Sequence, residues 1–287
     1  MKLTVNFDDP GTYHFYFGDR RGSPGSILTF FPWAGVPRGT VGNGQVCATS
    51  FAVPRASLEF WRDRLGELGR APEDAEPRFG ERVLAFEDPD GLPLELVAAG
   101  ASSAIEPWSA AVPAEHAIRG FHSATLAEEG YEETAALLRG VMGLREAGNE
   151  GNRYRFQMGA GGDAAIVDVV VAPDGRPGRL GSGTVHHIAW RTHDDAQQLA
   201  WRKQLVGKGF NVSPVMDRTY FHSIYYREPG GILFEIATDP PGFALDEHPD
   251  RLGEQLKLPA QFESHRQALE RALPPLTLPH QKAEQRR

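Results

Sequence analysis

The chain has 287 residues, of which 40% are hydrophobic, so it can build one large domain or two of ordinary size. A net charge of −8 gives no basic surface for nucleic acid, and no apolar run of about 18 residues is present to span a membrane. The single Cys47 excludes an internal disulfide framework, and the early charges of Lys2 and Asp8 argue against a signal peptide. We therefore expect a cytoplasmic globular protein.

The first 44 residues contain predicted strands and turns but no helix. Residues 12–17 and 26–31 are short apolar runs separated by a Gly- and Pro-containing turn, which is typical of strands. The loop that follows, 32–44, holds four glycines and two prolines and is therefore irregular. This segment is interpreted as an incomplete version of the unit that follows it.

Residues 45–100 form a complete unit of a strand, a helix and further strands. The helix is predicted over 57–68, with Ser57 as its N-cap. Its apolar face comprises Leu58, Trp61, Leu65 and Leu68. A connector rich in Ala, Ser and Pro, over about 98–115, separates this unit from the rest of the chain.

The second half of the chain repeats the same order of elements twice. A third unit covers 116–173 with a helix over 131–142, and a fourth covers 181–257 with a helix over about 195–209. Residues 258–287 form a tail with a helix over 260–272 and a fraying polar end from 281. Repetition of one supersecondary unit at a period of about 65 to 75 residues indicates internal duplication.

Matching places in the repeats hold the same residue types. An acid recurs near the end of each complete unit, at Glu95, Asp168 and Glu235, and the first segment has Thr29 at this place. A histidine recurs on the first strand of the last two units, at His122 and His187. Packing alone does not explain this recurrence, because a buried carboxylate needs a partner.

The fourth unit offers the strongest candidate metal site. His187 and Glu235 lie in the apolar runs Thr184–Trp190 and Gly230–Ile236, both predicted as buried strands. Imidazole and carboxylate together suit non-haem Fe(II), Mn(II) or Zn(II). The alternative is a hydrogen-bonded core histidine, but the repetition of the pattern favours a metal.

Several stretches resemble a known superfamily. They are Asn6–His14, Leu28–Trp33, Arg119–Ser123, Gly148–Arg153, His186–Ala189 and Gly230–Glu235. In this order they resemble the vicinal oxygen chelate superfamily, and within it the ring-cleaving dioxygenases that open hydroquinones. The resemblance implies an α+β fold of tandem βαβββ modules, paired into two barrels.

The resemblance also implies a metal centre. It implies Fe(II), with Mn(II) as the other candidate, bound by His187, Glu235 and a third ligand, a histidine on the first strand of the first module. This sequence begins at what reads as the second strand of that module, so we expect an incomplete site, an unpaired sheet edge and a poor enzyme. His14 lies on the remaining part of the module, at a position that the family does not use as a ligand.

Three further residues are candidates for catalysis. The resemblance places an active-site arginine at Arg218, which otherwise reads as an exposed turn residue. Tyr225 lies ten residues before Glu235 and could bind a substrate oxygen or pack in the core. His186 could act in acid–base chemistry, although a straight strand would turn it away from His187.

The implied function is a dioxygenase that takes a hydroquinone or catechol and O₂. A glyoxalase-like metal-dependent isomerase or lyase and a non-catalytic small-molecule-binding protein are the alternatives, and a homo-oligomer is compatible with the sequence. The second set, Glu95, His122 and Asp168, is expected to be a remnant of duplication without a metal.

Overall fold

Fifteen strands and four α-helices are present in the part of the chain that the computed structural model describes, residues 1–100, 105–108 and 111–278. In the first half they are β1 (Lys2–Val5), β2 (Tyr13–Phe17), β3 (Leu28–Phe30), β4 (Gln45–Pro54), α1 (Leu58–Glu67), β5 (Glu73–Arg78), β6 (Glu81–Glu87) and β7 (Pro93–Ala99). In the second half they are β8 (Phe121–Glu128), α2 (Glu132–Gly140), β9 (Arg145–Glu150), β10 (Arg153–Gln157), β11 (Ile166–Val171), β12 (Ile188–Thr192), α3 (Asp195–Gly207), β13 (Met216–Asp217), β14 (Phe221–Arg227), β15 (Leu233–Pro241) and α4 (Arg266–Ala272).

The strands form three sheets. β4 to β11 make an eight-stranded sheet in the order β5-β6-β7-β4-β8-β11-β10-β9, in which β4 and β8 pair antiparallel. β1, β2 and β3 make an antiparallel sheet, and the last four strands make a sheet in the order β12-β15-β14-β13. The predicted α+β fold class is confirmed. Among the described residues, no helix is long and apolar enough to cross a membrane.

The first sheet is held against the last one by side chains. Nζ of the buried Lys2 lies 2.6 Å from carboxylate oxygens of Asp246 and Glu247, which follow β15. Tyr16 of β2 packs in one apolar cluster with Tyr220 and Phe243. These contacts bring one face of β2 to the same cavity as β14 and β15.

The connectors between the sheets run side by side. Thr40 and Arg179 exchange backbone hydrogen bonds of 2.8 and 2.7 Å. A Cβ added at Gly42 would clash with the carbonyl oxygen of Arg176. The two connecting segments therefore approach each other more closely than a side chain at this position would allow. Two of the glycines that predicted an irregular loop, Gly39 and Gly42, are therefore needed for this contact.

The predicted helices are present, with differences at their ends. Ser57 does not cap α1, because its hydroxyl contacts Nδ1 of His116 at 3.0 Å. Leu68 lies beyond the helix and is 62% exposed, so it is not part of the apolar face. The tail helix begins as a 3₁₀ turn at Ala260–His265 before α4. Residues 101–104 and 109–110 of the predicted connector, and the chain end from 279 to 287, lie outside the described residues.

The prediction of a buried strand over Thr184–Trp190 is wrong in its first half, and its second half is a strand that is not buried. β12 begins at Ile188, and the histidine pair precedes it. At Gly183, φ is +76°, and an added Cβ there would lie 2.1 Å from the carbonyl oxygen of Asp90. This close packing against the turn before β7 holds the stretch in a loop.

Candidate metal centre and active site

His187 and Glu235 meet where β12 and β15 begin. Because β12 and β15 are parallel neighbours with Ala189 opposite Glu235, the residue just before β12 reaches the glutamate. Nε2 of His187 lies 2.9 Å from Oε2 of Glu235. Burial raises the pKa of the Glu235 carboxyl, but the hydrogen bond and charge of His187 and the hydrogen bonds of Ser223 and Tyr225 together outweigh it and lower this pKa below its usual value. Glu235 is therefore ionised although it is 3% exposed.

The other oxygen of Glu235 is fixed by two hydroxyls. Oε1 accepts hydrogen bonds from Tyr225, at 2.9 Å, and from Ser223. Both donors lie on β14, two residues apart and therefore on the same face of the strand. Ser223 was not predicted from the sequence, although its spacing of two residues from Tyr225 is a usable signal.

Arg218 lies next to this group, as the resemblance implied. Its Nε donates to the hydroxyl of Tyr225 at 3.2 Å, and its two terminal nitrogens lie 3.2 and 3.1 Å from the carboxylate oxygens of Asp8. Burial lowers the pKa of Arg218, but the bonds to Asp8 and Tyr225 outweigh it and raise this pKa above its usual value. The guanidinium is therefore a permanent positive charge. Asp8 had no signal of its own in the sequence.

His186 contacts His187 directly. The two Nδ1 atoms lie 2.8 Å apart, although adjacent residues of a straight strand would face opposite sides. The two rings can meet because the pair precedes β12, so its side chains do not alternate between the two faces of a strand. His186 is exposed and the His187 side chain is 19% exposed, so His186 is the more solvent-accessible ring of the pair.

These groups line one open cavity of about 1590 Å³. Its wall also includes aromatic side chains from the loop after β3, where Phe31 and Trp33 are stacked with ring centroids 4.9 Å apart. Such a wall suits a flat aromatic ring.

The pair of His187 and Glu235 fits a metal ion. Two ligand atoms that each lie about 2.1 Å from a metal, at about 90° to each other, are about 3 Å apart, close to the spacing of Nε2 and Oε2. No cluster of three or more His, Cys, Asp or Glu side chains that could hold a metal is found among residues 1–100, 105–108 and 111–278.

The second set of candidates is neutralised by arginines. The carboxylate of Asp168 is bound by Nε and Nη2 of Arg155 at 2.8 and 3.0 Å, and Glu95 pairs with Arg78. The position opposite the acid explains the difference between the third and the fourth unit. Arg155 is opposite Asp168 in the sheet, whereas Tyr225 is opposite Glu235. The expectation that this set is a remnant fits this arrangement.

Comparison with known proteins identifies the family. Residues 120–236 match the model of the Glyoxalase/Bleomycin resistance protein/Dioxygenase superfamily. The chain is 50% identical over 275 residues to "Putative ring-cleaving dioxygenase MhqO" of Bacillus subtilis (strain 168), covering 96% of this chain and 87% of that protein. It is 39% identical over 281 residues to chlorohydroquinone/hydroquinone 1,2-dioxygenase of Sphingobium indicum, with coverages of 95% and 87%.

A solved structure supports the same conclusion. A crystal structure of a "putative dioxygenase" from Bacillus subtilis subsp. subtilis str. 168 is 49% identical, covers 96% of this chain and 88% of its own, and superposes with a TM-score of 0.91. The chain therefore belongs to the Glyoxalase/Bleomycin resistance protein/Dioxygenase superfamily, in its group of ring-cleaving dioxygenases.

Proposed function

We propose that the protein is an Fe(II)-dependent dioxygenase that opens the ring of a hydroquinone, with Mn(II) as the other candidate metal. The observation that carries this proposal is the contact of His187 with Glu235 at the wall of an aromatic-lined cavity. Imidazole and carboxylate ligands suit Fe(II) centres that activate O₂. The relative from Sphingobium indicum, named for its action on hydroquinones, supports this substrate class.

Nε2 of His187 and Oε2 of Glu235 would hold the metal. A bound Fe(II) would supply open positions for O₂ and an aromatic hydroxyl and would favour the ionised form of that hydroxyl. Binding through Nε2 leaves the proton of a neutral imidazole on Nδ1, from which it can be donated to Nδ1 of His186. His186 would thereby fix the tautomer and the orientation of the His187 ring.

Tyr225 and Arg218 would act on the reacting oxygens. The Tyr225 hydroxyl donates to Glu235 and holds its carboxylate in one orientation. The Arg218 guanidinium lies beside this hydroxyl and would stabilise negative charge that develops on oxygen atoms during ring opening. His186 is the exposed group of the set and can exchange a proton with solvent.

The test is a reconstitution of the purified protein, without O₂, with Fe(II), Mn(II) or Zn(II). Metal content is measured after gel filtration, and O₂ uptake is then followed with hydroquinone and with catechol. We expect metal retention and O₂ uptake that depends on Fe(II) or Mn(II), with one O₂ consumed per ring opened. Turnover of hydroquinone without O₂ uptake, or an equal rate without metal, would contradict the proposal. Isomerisation of a thiol adduct with Zn(II) would favour the glyoxalase-like alternative.

A further inference from the structure

The first sheet and the last sheet, which holds the candidate metal ligand Glu235, pair equivalent residues across their strands. In the antiparallel pair of β14 and β15, Tyr225 lies opposite Glu235, and in the pair of β2 and β3, Tyr16 lies opposite Thr29. Residues directly opposite in such a pair share a face of the sheet. Tyr16 is therefore the counterpart of Tyr225, and the position of the metal-binding acid is occupied by the neutral Thr29.

Two polar atoms on this face of β2 have no partner. In the described part of the chain, neither Nε2 of His14 nor the hydroxyl of Tyr16 makes a hydrogen bond, although the two residues are only 8% and 2% exposed. Leaving a buried donor or acceptor unpaired costs about 1–3 kcal/mol, so such groups are usually satisfied by a protein group, a water or a ligand.

Both residues belong to the wall of the candidate site. They line the same cavity as His187 and Glu235, and the charges of these two residues act on His14. Glu235 likewise acts on the buried hydroxyl of Tyr16. The rings of His14 and Phe31 are stacked with centroids 4.1 Å apart, so an apolar surface for an aromatic ring adjoins the unpaired polar atoms.

The chemistry of the two groups suits a neutral hydroxyl. Burial, followed by the charge of His187, lowers the pKa of His14 to about 3, so its imidazole is neutral at physiological pH. A neutral imidazole nitrogen and a phenolic hydroxyl can each donate or accept a hydrogen bond. Neither group offers a charge to attract a carboxylate or a phosphate.

We infer that His14 and Tyr16 form a subsite for the second hydroxyl of a 1,4-dihydroxybenzene whose first hydroxyl lies at His187 and Glu235. The inference rests on the proposed function and restricts its substrate to a 1,4-dihydroxybenzene. Catechol is excluded because its two hydroxyls are on adjacent carbons and cannot reach both places. A catechol held at the metal would leave the subsite without a partner. A site built to bind a hydroxyl discriminates against the analogue that lacks it, since its own polar groups then stay unpaired.

The experiment measures the binding of hydroquinone, catechol and phenol by calorimetry without O₂, so that no turnover occurs. The protein is used at equal, measured metal content in every variant. We expect hydroquinone to bind about tenfold or more tightly than phenol, which corresponds to about one hydrogen bond to a buried group. In Tyr16→Phe and His14→Phe this preference should fall to within about twofold, while phenol affinity stays the same. Phenylalanine preserves the ring stacking at both positions.

Tyr13→Phe is the matched control. Tyr13 lies on the same strand but on its other face, and its hydroxyl donates to the carbonyl oxygen of Pro274 at 3.0 Å, outside the cavity. This variant should keep the full preference, and a thermal unfolding scan of all variants confirms that they are folded.

The outcomes separate the inference from the proposed function. Equal affinities of the unmutated protein for hydroquinone and phenol, or a preference that survives both substitutions, would overturn the subsite and leave the proposed function standing. Tight binding of catechol that the Tyr16 substitution weakens would also overturn it. If none of the three compounds binds to metal-loaded protein, both the subsite and the proposed function are wrong.

Discussion

Arg218 and Asp8 form a two-point ion pair between residues that are 210 positions apart in the chain, with nitrogen–oxygen distances of 3.2 and 3.1 Å. Asp8 follows β1, and Arg218 precedes β14. Since Nε of Arg218 also donates to Tyr225, the pair connects the first sheet to the hydroxyl that holds Glu235.

Removal of the Arg218 side chain should impair turnover and leave metal binding intact. We expect Arg218→Ala to lower kcat by about 10²–10³-fold, the effect of losing one electrostatic stabiliser of developing charge. Metal content should stay unchanged, because Arg218 contacts Tyr225 and Asp8 but neither His187 nor Glu235 through a hydrogen bond. Steady-state kinetics and metal analysis check this. Arg62→Ala serves as the control, because this half-buried arginine of α1 pairs with Glu59 and Asp74 outside the cavity. An unchanged kcat in Arg218→Ala would show that Arg218 is an ordinary turn residue.

Asp8 should act only through Arg218. We expect Asp8→Asn to lower kcat by about three- to tenfold, a small effect because the Asp8 side chain is largely exposed to solvent. In the Arg218→Ala background the same substitution should cause no further loss, which a double-mutant cycle detects. Asp9→Asn is the matched control, since Asp9 accepts a hydrogen bond from Thr12 instead. Equal effects of Asp8→Asn in both backgrounds would contradict the positioning role.

The two acidic sets should respond in opposite ways to substitution. We expect His187→Ala and Glu235→Ala to lose the metal, whereas Glu95→Ala and Asp168→Ala keep it. Asp168→Ala should instead lower the free energy of unfolding by about 3 kcal/mol, because the buried Arg155 loses one of its two carboxylate partners and keeps only Glu81. Metal analysis and denaturant unfolding measure both properties. Retention of a full equivalent of metal by His187→Ala would refute the ligand assignment.

A pair of buried carboxylates should make the stability depend on pH. The hydroxyl of Thr134 lies 2.8 Å from Oε2 of Glu128 and 2.6 Å from Oε2 of Glu228. One hydroxyl has one proton to donate, so both contacts are satisfied only if one carboxyl is protonated. Burial, followed by the charge of Glu228, raises the pKa of Glu128 to about 8. Glu128 is therefore the protonated member, and Glu228 also accepts from the backbone amides of Gly230 and Ile232.

The sign of this pH dependence follows from proton binding. Between the pKa of an exposed glutamate, about 4.5, and about 8, the folded state binds more protons at Glu128 than the unfolded state does, so stability falls as pH rises. Each pKa unit corresponds to about 1.4 kcal/mol. We expect Glu128→Gln to remove most of the loss of unfolding free energy between pH 5 and pH 9. The exposed Glu129→Gln is the control, and identical pH profiles for both variants would contradict the shared proton.

Sequence alone was sufficient for the repeated order of strand, helix and further strands and for the pairing of His187 with Glu235, although it missed β1. Apolar runs between turn residues are local signals, and the recurrence of an acid at one place in each unit required only an internal comparison. The helices over 131–142 and 195–209 were predicted to within two residues at each end. The ligand role of His187 and Glu235 remains a prediction that metal analysis decides.

Tertiary structure decided which charges meet. Asp8 and Arg218, or Arg155 and Asp168, become partners only when the sheets form and pack, and neither residue type nor spacing signals such a contact. The orientation of His186 likewise depends on the point at which β12 begins, which the packing of Gly183 against Asp90 sets. Local sequence determines the pattern of strands and helices because propensity and periodicity act over a few residues, whereas a side chain's partner depends on the register and packing of distant segments.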